Sequence, residues 1–394
     1  MEQQSDRAGR YVLQPEGYAA FIPNPLPPEI RYDGELQSLL SAADRAMARL
    51  DGMSRVLPSP DLFIAMYVKK EALLSSQIEG TQASFRGVLE VEAALETGED
   101  LNEIGEVINY IDAMRYGLET VRTKSISIEL IRKIHWLLLR NTRGADRFPG
   151  AIRRDQNYVA PPGATSIREA VYVPPPPDEL GPALEALEAF IQADDPIPPL
   201  VRIALIHAQF ETIHPFLDGN GRIGRLLITF YLCWKGILSR PLLYLSFFLK
   251  RNRAEYYALL NAVRTEGAYE DWVAFFLRGV VEVSEEAERS AQEIIALREA
   301  VVDRLLAHEI GGAGAVRLAY SLFERPIVTA RGVTDLLGLS QPAANALVNR
   351  FVSAGILRET TGKQRYRRYE FREYLAILER GTGLARDEVA VRES

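Results

Sequence analysis

Apolar positions recur at helical spacing over most of this chain, and two stretches rich in glycine and proline interrupt them. In "GELQSLLSAADRAMARLDGM", Leu36, Leu39, Leu40, Ala43 and Met47 fall on one face. "SPDLFIAMYVKKEALLSSQIEG" predicts a second helix, with Ser59 as its cap, Pro60 at its first position and Gly80 as its stop. "ISIELIRKIHWLLLR", "ELGPALEALEAFIQ" and "PLVRIALIHAQFETI" read as further helices. Ile223, Leu226, Leu227, Phe230, Tyr231 and Trp234 share the apolar face of another, which Gly236 ends. Residues 143–178 break the pattern and predict a loop with a small β-hairpin around "EAVYVP". Residues 1–32, rich in proline and polar side chains, read as an extended surface arm. "GGAG" at 311–314 marks a boundary, after which the pattern is helix, helix-turn-helix and a basic strand pair. The expected fold class is mainly α.

A length of 394 residues implies two or three domains. With 47% hydrophobic and 25% charged residues, the composition is that of an ordinary globular chain. A net charge of −7 argues against a chain built to coat nucleic acid, although a local basic patch stays open. The single cysteine, Cys233, excludes an intrachain disulfide and fits a reducing compartment. The first residues lack a basic start followed by an apolar run, and no apolar run is long enough to span a bilayer. The expected location is the cytoplasm, with no membrane partner.

Chemistry concentrates in "IHPFLDGNGRIGR" at 213–225. Gly219, Asn220 and Gly221 can adopt a turn that aims backbone N–H groups at one spot, and a helix starting there adds its positive dipole end. Arg222 and Arg225, three apart, share one side of that helix and can donate to phosphate oxygens. Asp218 sits where it could hold Mg²⁺ against those phosphates. His214, at the end of the preceding helix, could serve as a general base. Singly, each feature is an ordinary structural element. Together they describe an anion site beside a base. His135, His207 and His308 lack metal-ligand spacing and read as structural, so no zinc site is expected.

"HPFLDGNGRIGR" also resembles the full signature of the Fic (Fic/Doc) family, H-P-F-x-D/N-G-N-G-R-x-x-R, and "PGAIRRDQNYV", "VYVPPPP" and "RAEYYALL" extend the similarity over residues 35–290. The resemblance implies a protein adenylyltransferase that moves AMP from ATP to a Ser, Thr or Tyr hydroxyl of a target protein, releasing pyrophosphate. By position, His214 would deprotonate the hydroxyl and Asp218 would bind Mg²⁺. Gly219, Asn220, Gly221 and Gly224 would shape the anion hole, with Arg222 and Arg225 gripping phosphates. Phe216 would pack into the core and Pro215 would set the loop. Doc-type relatives phosphorylate and carry Lys where this chain has Gly221, which favours AMP transfer here. "SSQIEGTQ" resembles the family's inhibitory motif S/T-x-x-x-E-G/N through Ser75, Glu79 and Gly80. That resemblance implies a Glu79–Arg225 pair occupying the γ-phosphate space, and in some relatives the same glutamate serves AMP removal.

"REAVYVPPPP" resembles the family's target-binding flap, with Tyr172 and Val173 as contact residues on an exposed strand edge, or else it is a plain surface hairpin. Tyr256 and Tyr257 resemble the aromatic pair near adenine, or else they are core aromatics. Residues 315–375 resemble a winged helix, with Gln341, Asn345, Asn349 and Arg350 on the second helix. Arg358, Lys363, Arg365, Arg367, Arg368 and Arg372 crowd the strand region, facing DNA phosphates or a docking partner. The expected organisation is an arm (1–33), an N-terminal helical region (34–121), a Fic core (122–290), a helical linker (291–314) and a winged helix (315–394). Homodimer formation follows from the resemblance alone. Two alternatives stay open: a nucleotide-sensing DNA-binding regulator, and a Fic transferase with another nucleotide donor.

Overall fold

The structure, a computed structural model, describes residues 6–56, 60–161, 163–363 and 366–383. Its elements begin with β1 (Gly9–Leu13) and β2 (Ala19–Pro23), then α1 (Gly34–Val56), α2 (Pro60–Ile78), α3 (Phe85–Glu92), α4 (Leu101–Val121) and α5 (Ile128–Leu139). After a long loop come α6 (Pro177–Gln192), α7 (Pro199–Ile213), α8 (Asn220–Trp234), α9 (Ser246–Arg251), α10 (Arg253–Glu266) and α11 (Tyr269–Ala307). The chain continues through α12 (Ala313–Leu322), β3 (Ile327–Thr329), α13 (Ala330–Leu337), α14 (Gln341–Ser353), β4 (Arg358–Glu359), β5 (Arg368–Glu370) and α15 (Arg372–Leu378). The mainly helical expectation holds. Pro60 opens α2 as expected, while Ser59 lies outside the described residues.

Two helices occupy the centre. Every residue of α7 from Leu200 to Ile213 is buried, so it has no solvent face and must be wrapped by neighbours. The neighbours are α6, α8, α10 and α11. The first three turns of α8 are nearly as enclosed. Because α7 ends where the signature begins and α8 starts inside it, the motif is clamped between two core helices. Gly117 on α4 lets α8 approach, since a Cβ there would overlap the Phe230 ring.

The N-terminal arm differs from expectation. Residues 9–23 form an antiparallel hairpin in register Gly9↔Pro23 to Leu13↔Ala19. Ala20 and Phe21, on opposite faces of β2, are both buried, with Tyr11 edge-on to Phe21 at 5.0 Å between centroids. Arg7 reaches across to Glu270 at 2.7 Å, and Phe21 N–H donates to Val173 O at 3.0 Å. The proline and polar content of this segment hid the short apolar run 19–23, enough to anchor a hairpin. The loop at 143–178 differs in the other direction. Among the described residues its only ladder is the single bridge Val159↔Tyr172, so no regular hairpin forms.

α11 runs unbroken across residue 290, and α1 packs along it. Beyond Gly312 a small unit closes on Leu318, Val333, Val348 and Phe371, with sheet order β3-β5-β4, all antiparallel. Thr329 and Ser340 cap α13 and α14, and Gly338 ends α13 at φ +67°. Residues 384–394 and Arg365 lie outside the described residues. This unit lies against the N-terminal helices. Arg86 on α3 meets Glu370 at 3.0 Å, Arg368 meets Glu90 at 3.0 Å, and Gln77 on α2 donates to Thr382 O at 3.1 Å. Among the described residues no helix is long and apolar enough to cross a membrane.

Phe21→Ala is expected to cost about 3 kcal/mol of local anchoring. Hydrogen exchange should show the amides of β1 and β2 losing protection while those of α7 keep theirs.

Candidate active site

The site is built at the junction of α7 and α8. His214 closes α7 in a left-handed conformation, φ 47° and ψ 59°. That turn throws the chain out of the helix and into the loop. Gly219 is also left-handed, at φ 80°, and as N-cap of α8 it brings no side chain to satisfy the first N–H groups. The start of α8 is therefore an open anion-binding end.

The loop is held from behind by polar side chains. Asn220 bonds both ways to Phe216, accepting from its N–H at 2.9 Å and donating to its carbonyl at 2.8 Å. Asn157 donates to Phe216 O at 2.8 Å, and Arg153 Nε donates to His214 O at 3.0 Å. His135 stacks on Phe216 at 3.8 Å, receives Gly150 N–H on Nδ1 at 2.8 Å and lies 2.9 Å from Asp218 O through Nε2. With Nδ1 accepting, its proton sits on Nε2 and donates to Asp218 O. Sequence reasoning placed the Asn220 backbone in the anion hole, whereas its side chain serves the loop. It also read His135 as structural without finding its task.

His214 is about one-fifth exposed (21%), open enough to meet a substrate. Burial, then Arg264 and Arg153, hold its ring down at about 4, so it stands neutral at pH 7 with a lone pair available. Arg225 is 1% exposed at the side chain. Its Nε donates to Ser75 Oγ at 2.8 Å, and its Nη2 donates to Ser75 O at 3.0 Å and to Glu79 Oε1 at 2.6 Å. Its Nη1 has no partner among the described residues. Burial alone would raise the Glu79 carboxyl, but Arg225 outweighs it and holds the group below its ordinary value. The expected Glu79–Arg225 contact is thus present, with Ser75 sharing the guanidinium. Gly80, at φ 101°, turns the chain directly after it.

Gly221 explains how Glu79 fits. A Cβ on Gly221 would run into Glu79 Oε1 well inside contact distance. Arg222 is also buried, with Nη1 3.6 Å from Glu106 Oε2 and Nη2 3.6 Å from Asp218 Oδ1. Its Nε and Nη1 lack hydrogen-bond partners among the described residues. The two arginines are not a solvated face. They are buried donors with capacity to spare.

Asp218 is about one-third exposed, and its Oδ1 takes Gly219 N–H at 2.6 Å. Among the described residues no group of three or more His, Cys, Asp or Glu could hold a metal. One carboxylate fits Mg²⁺ that draws its other ligands from phosphates and water.

Tyr256 and Tyr257 part company. Tyr256 is buried, with its hydroxyl 2.9 Å from His207 Nε2, while Tyr257 keeps 42% of its surface open. Tyr172 and Val173, expected as exposed contact residues, are instead buried. The Tyr172 hydroxyl donates to Thr212 O at 2.5 Å and Arg264 lies 3.8 Å over its ring. The outward position is Val171, 61% exposed. Two adjacent residues are both buried, so the segment does not present a strand edge at these positions. Glu106, Glu211 and Arg264 were missed, because an isolated charge in a helical pattern looks like surface.

Comparison with known proteins gives two family matches. Residues 37–119 match the Fic/DOC family N-terminal region and residues 125–232 match the Fic/DOC family domain. The protein adenylyltransferase Fic of Nematostella vectensis is 30% identical over 194 residues, 48% of this chain and 41% of that one. Its Drosophila melanogaster counterpart is 30% identical over 218 residues, 52% of this chain and 40% of that one. This chain therefore spans well under half the length of these curated relatives. Among solved structures, a Fic family protein from Desulfovibrio desulfuricans superposes with a TM-score of 0.59 at 19% identity, covering 88% of this chain and 98% of that one. A Fic domain containing signaling protein from Bacteroides thetaiotaomicron reaches 0.50 at 18% identity, covering 66% and 97%.

Glu79→Ala leaves the Arg225 charge uncompensated, with an expected loss of about 3 kcal/mol in a denaturation series. Pyrophosphate should restore stability to this variant more than it raises that of the wild type, because an anion then takes the vacated place.

Proposed function

The chain belongs to the Fic/DOC family, its N-terminal region and domain models following one another across residues 37–232, and on that premise we propose that it transfers AMP from ATP to a hydroxyl of a protein target. The observation that carries this reading is Arg225, a buried guanidinium in the first turns of α8 with one nitrogen unpartnered and a carboxylate as its present occupant. Such a group demands an anion, and a nucleotide phosphate can replace Glu79.

In this reading His214 takes the proton of the attacking hydroxyl. The N–H groups at the start of α8, with Arg222 and Arg225, orient the phosphates and offset charge that grows on them. Mg²⁺ held by Asp218 would neutralise phosphate charge. Tyr257 supplies an aromatic face beside the pocket for the base. Glu79 restrains the reaction while it holds Arg225. Ser75 keeps the same guanidinium oriented whether Glu79 is present or withdrawn.

The C-terminal unit reads as a winged helix used for docking. Of the basic residues that favoured DNA, Arg368 is paired with Glu90 and Arg372 lies 3.8 Å from Glu370, which lowers the charge open to a phosphate backbone. Cys233 is unpaired among the described residues, which suits the reducing cytoplasm.

Label from α-labelled ATP should appear on protein when Glu79→Gly is incubated with Mg²⁺, and it should fall by about 10²-fold or more on adding His214→Ala. Label that is absent from Glu79→Gly with and without lysate, yet present with labelled UTP or CTP, would keep the scaffold and change the donor. No label with any nucleotide would sink the transferase reading.

A further inference from the structure

A base must lodge the proton it receives. Burial, Arg264 from α10 and Arg153 from the loop after α5 all oppose a positive charge on His214, while the hydrogen bond to the Glu211 main chain and Glu79, in the turn after α2, act the other way. As a base, a ring poised at about 4 is weak. One further residue addresses it. Glu211 lies one turn earlier on α7, its Oε2 3.9 Å from His214 Nδ1 and its main-chain oxygen 3.3 Å from the same nitrogen. Both polar groups of one residue thus meet one side of the ring and leave Nε2 for the substrate.

The position of that carboxylate is built into the fold. Glu211 is 7% exposed, and its Oε1 has no hydrogen-bond partner among the described residues. It reaches into a space that α8 leaves by carrying Gly224. A Cβ there would stand 2.5 Å from Glu211 Oε1 and 3.2 Å from the His207 ring. Leaving an acceptor buried and unpaired is costly, as is a glycine inside a helix. Burial pushes the Glu211 carboxyl up to about 7, with Arg225 and Arg264 drawing it down and Glu79 raising it. It therefore ionises in the range where the enzyme would work.

We propose that Glu211 is a positioning residue for His214. Its main-chain carbonyl accepts Nδ1–H and fixes the tautomer with the lone pair on Nε2, and its carboxylate offsets the charge of the imidazolium. The proposal rests on the AMP-transfer reading. In the step it serves, the target O–H proton passes to Nε2 and an O–P bond forms at the α-phosphorus. The P–O bond to the β-phosphate breaks, and pyrophosphate leaves with its electron pair. Glu211 exchanges no proton in that step. The ring later returns its proton to solvent.

Glu211→Gln keeps shape and removes charge. Imidazole NMR of the full chain without nucleotide is readable because there are four histidines, with His214 assigned by its loss in His214→Ala. A nearby anion favours the imidazolium, so removing it lowers the ring's affinity for protons. The wild-type His214 signals should therefore carry a step as pH passes through about 7, where Glu211 gains or loses its charge, and that step should be absent in Glu211→Gln. In the Glu79→Gly background, transfer above pH 7 should drop about tenfold in Glu211→Gln, with the decline on acidification through about 7 lost and KM for ATP unchanged. Glu211→Asp, which retains the charge, should recover part of both and serves as the test if the glutamine variant does not fold. Superimposable His214 titrations with unchanged transfer would overturn the proposal. Loss of the His214 step near pH 7 in Glu211→Gln, with no transfer in any background, would keep the Glu211–His214 coupling and discard the AMP-transfer reading.

Discussion

A guanidinium as deeply buried as Arg225 has no water to share its charge, so the fold around it must provide an anion. Ser75 on α2 and Glu79 in the turn just after it supply the contacts seen here. The rest of the site follows from that demand. α2 must lie against α8, Gly221 must lack a side chain so that the carboxylate can approach, and Gly80 must turn the chain away at once. A phosphate satisfies the same guanidinium equally well, and the restraint proposed for Glu79 is that competition.

Precision at the loop comes from its back, not from its front. Asn220, Asn157, Arg153 and His135 all bond to main-chain atoms of residues 214–218. Side-chain bonds to carbonyls fix a loop without using the N–H groups that face the anion. The N–H groups of α8 therefore remain free for a ligand, while the loop that presents His214 stays rigid.

α2 is also the helix that the C-terminal unit touches. Gln77 lies two residues before Glu79 and donates to Thr382 O, while Arg86 and Glu90 on α3 pair with Glu370 and Arg368. Gln77, Thr382 and Glu370 are buried while Arg86 and Arg368 are partly open, and α15 packs on α11 with its apolar residues in the same continuous core, so polar and apolar contacts together hold the unit in place.

Much of this was legible without coordinates. The 3.6-residue period marks α1, α2, α5, α7 and α8 because amphipathic burial is a local demand. The signature at 213–225 marks its own chemistry because base, carboxylate, glycine turn and arginines are neighbours in the chain. Ser75, Glu79 and Gly80 could be found only as a resemblance, since nothing local says that a carboxylate just past α2 will meet an arginine on α8. The N-terminal hairpin was misread as an arm because its apolar runs are short and flanked by proline and polar residues. Tyr172 and Val173 were placed outward because the segment resembles an exposed flap, whereas both pack inward, Tyr172 bonding to Thr212 O. Gly224 and Glu211 could not be paired from sequence, being thirteen residues apart on two helices. The sequence by itself determined the helices and the identity of the anion site. Only the tertiary structure decided which charges are buried together, because a charge is paired by whatever helix packs against it, and packing is not a local property.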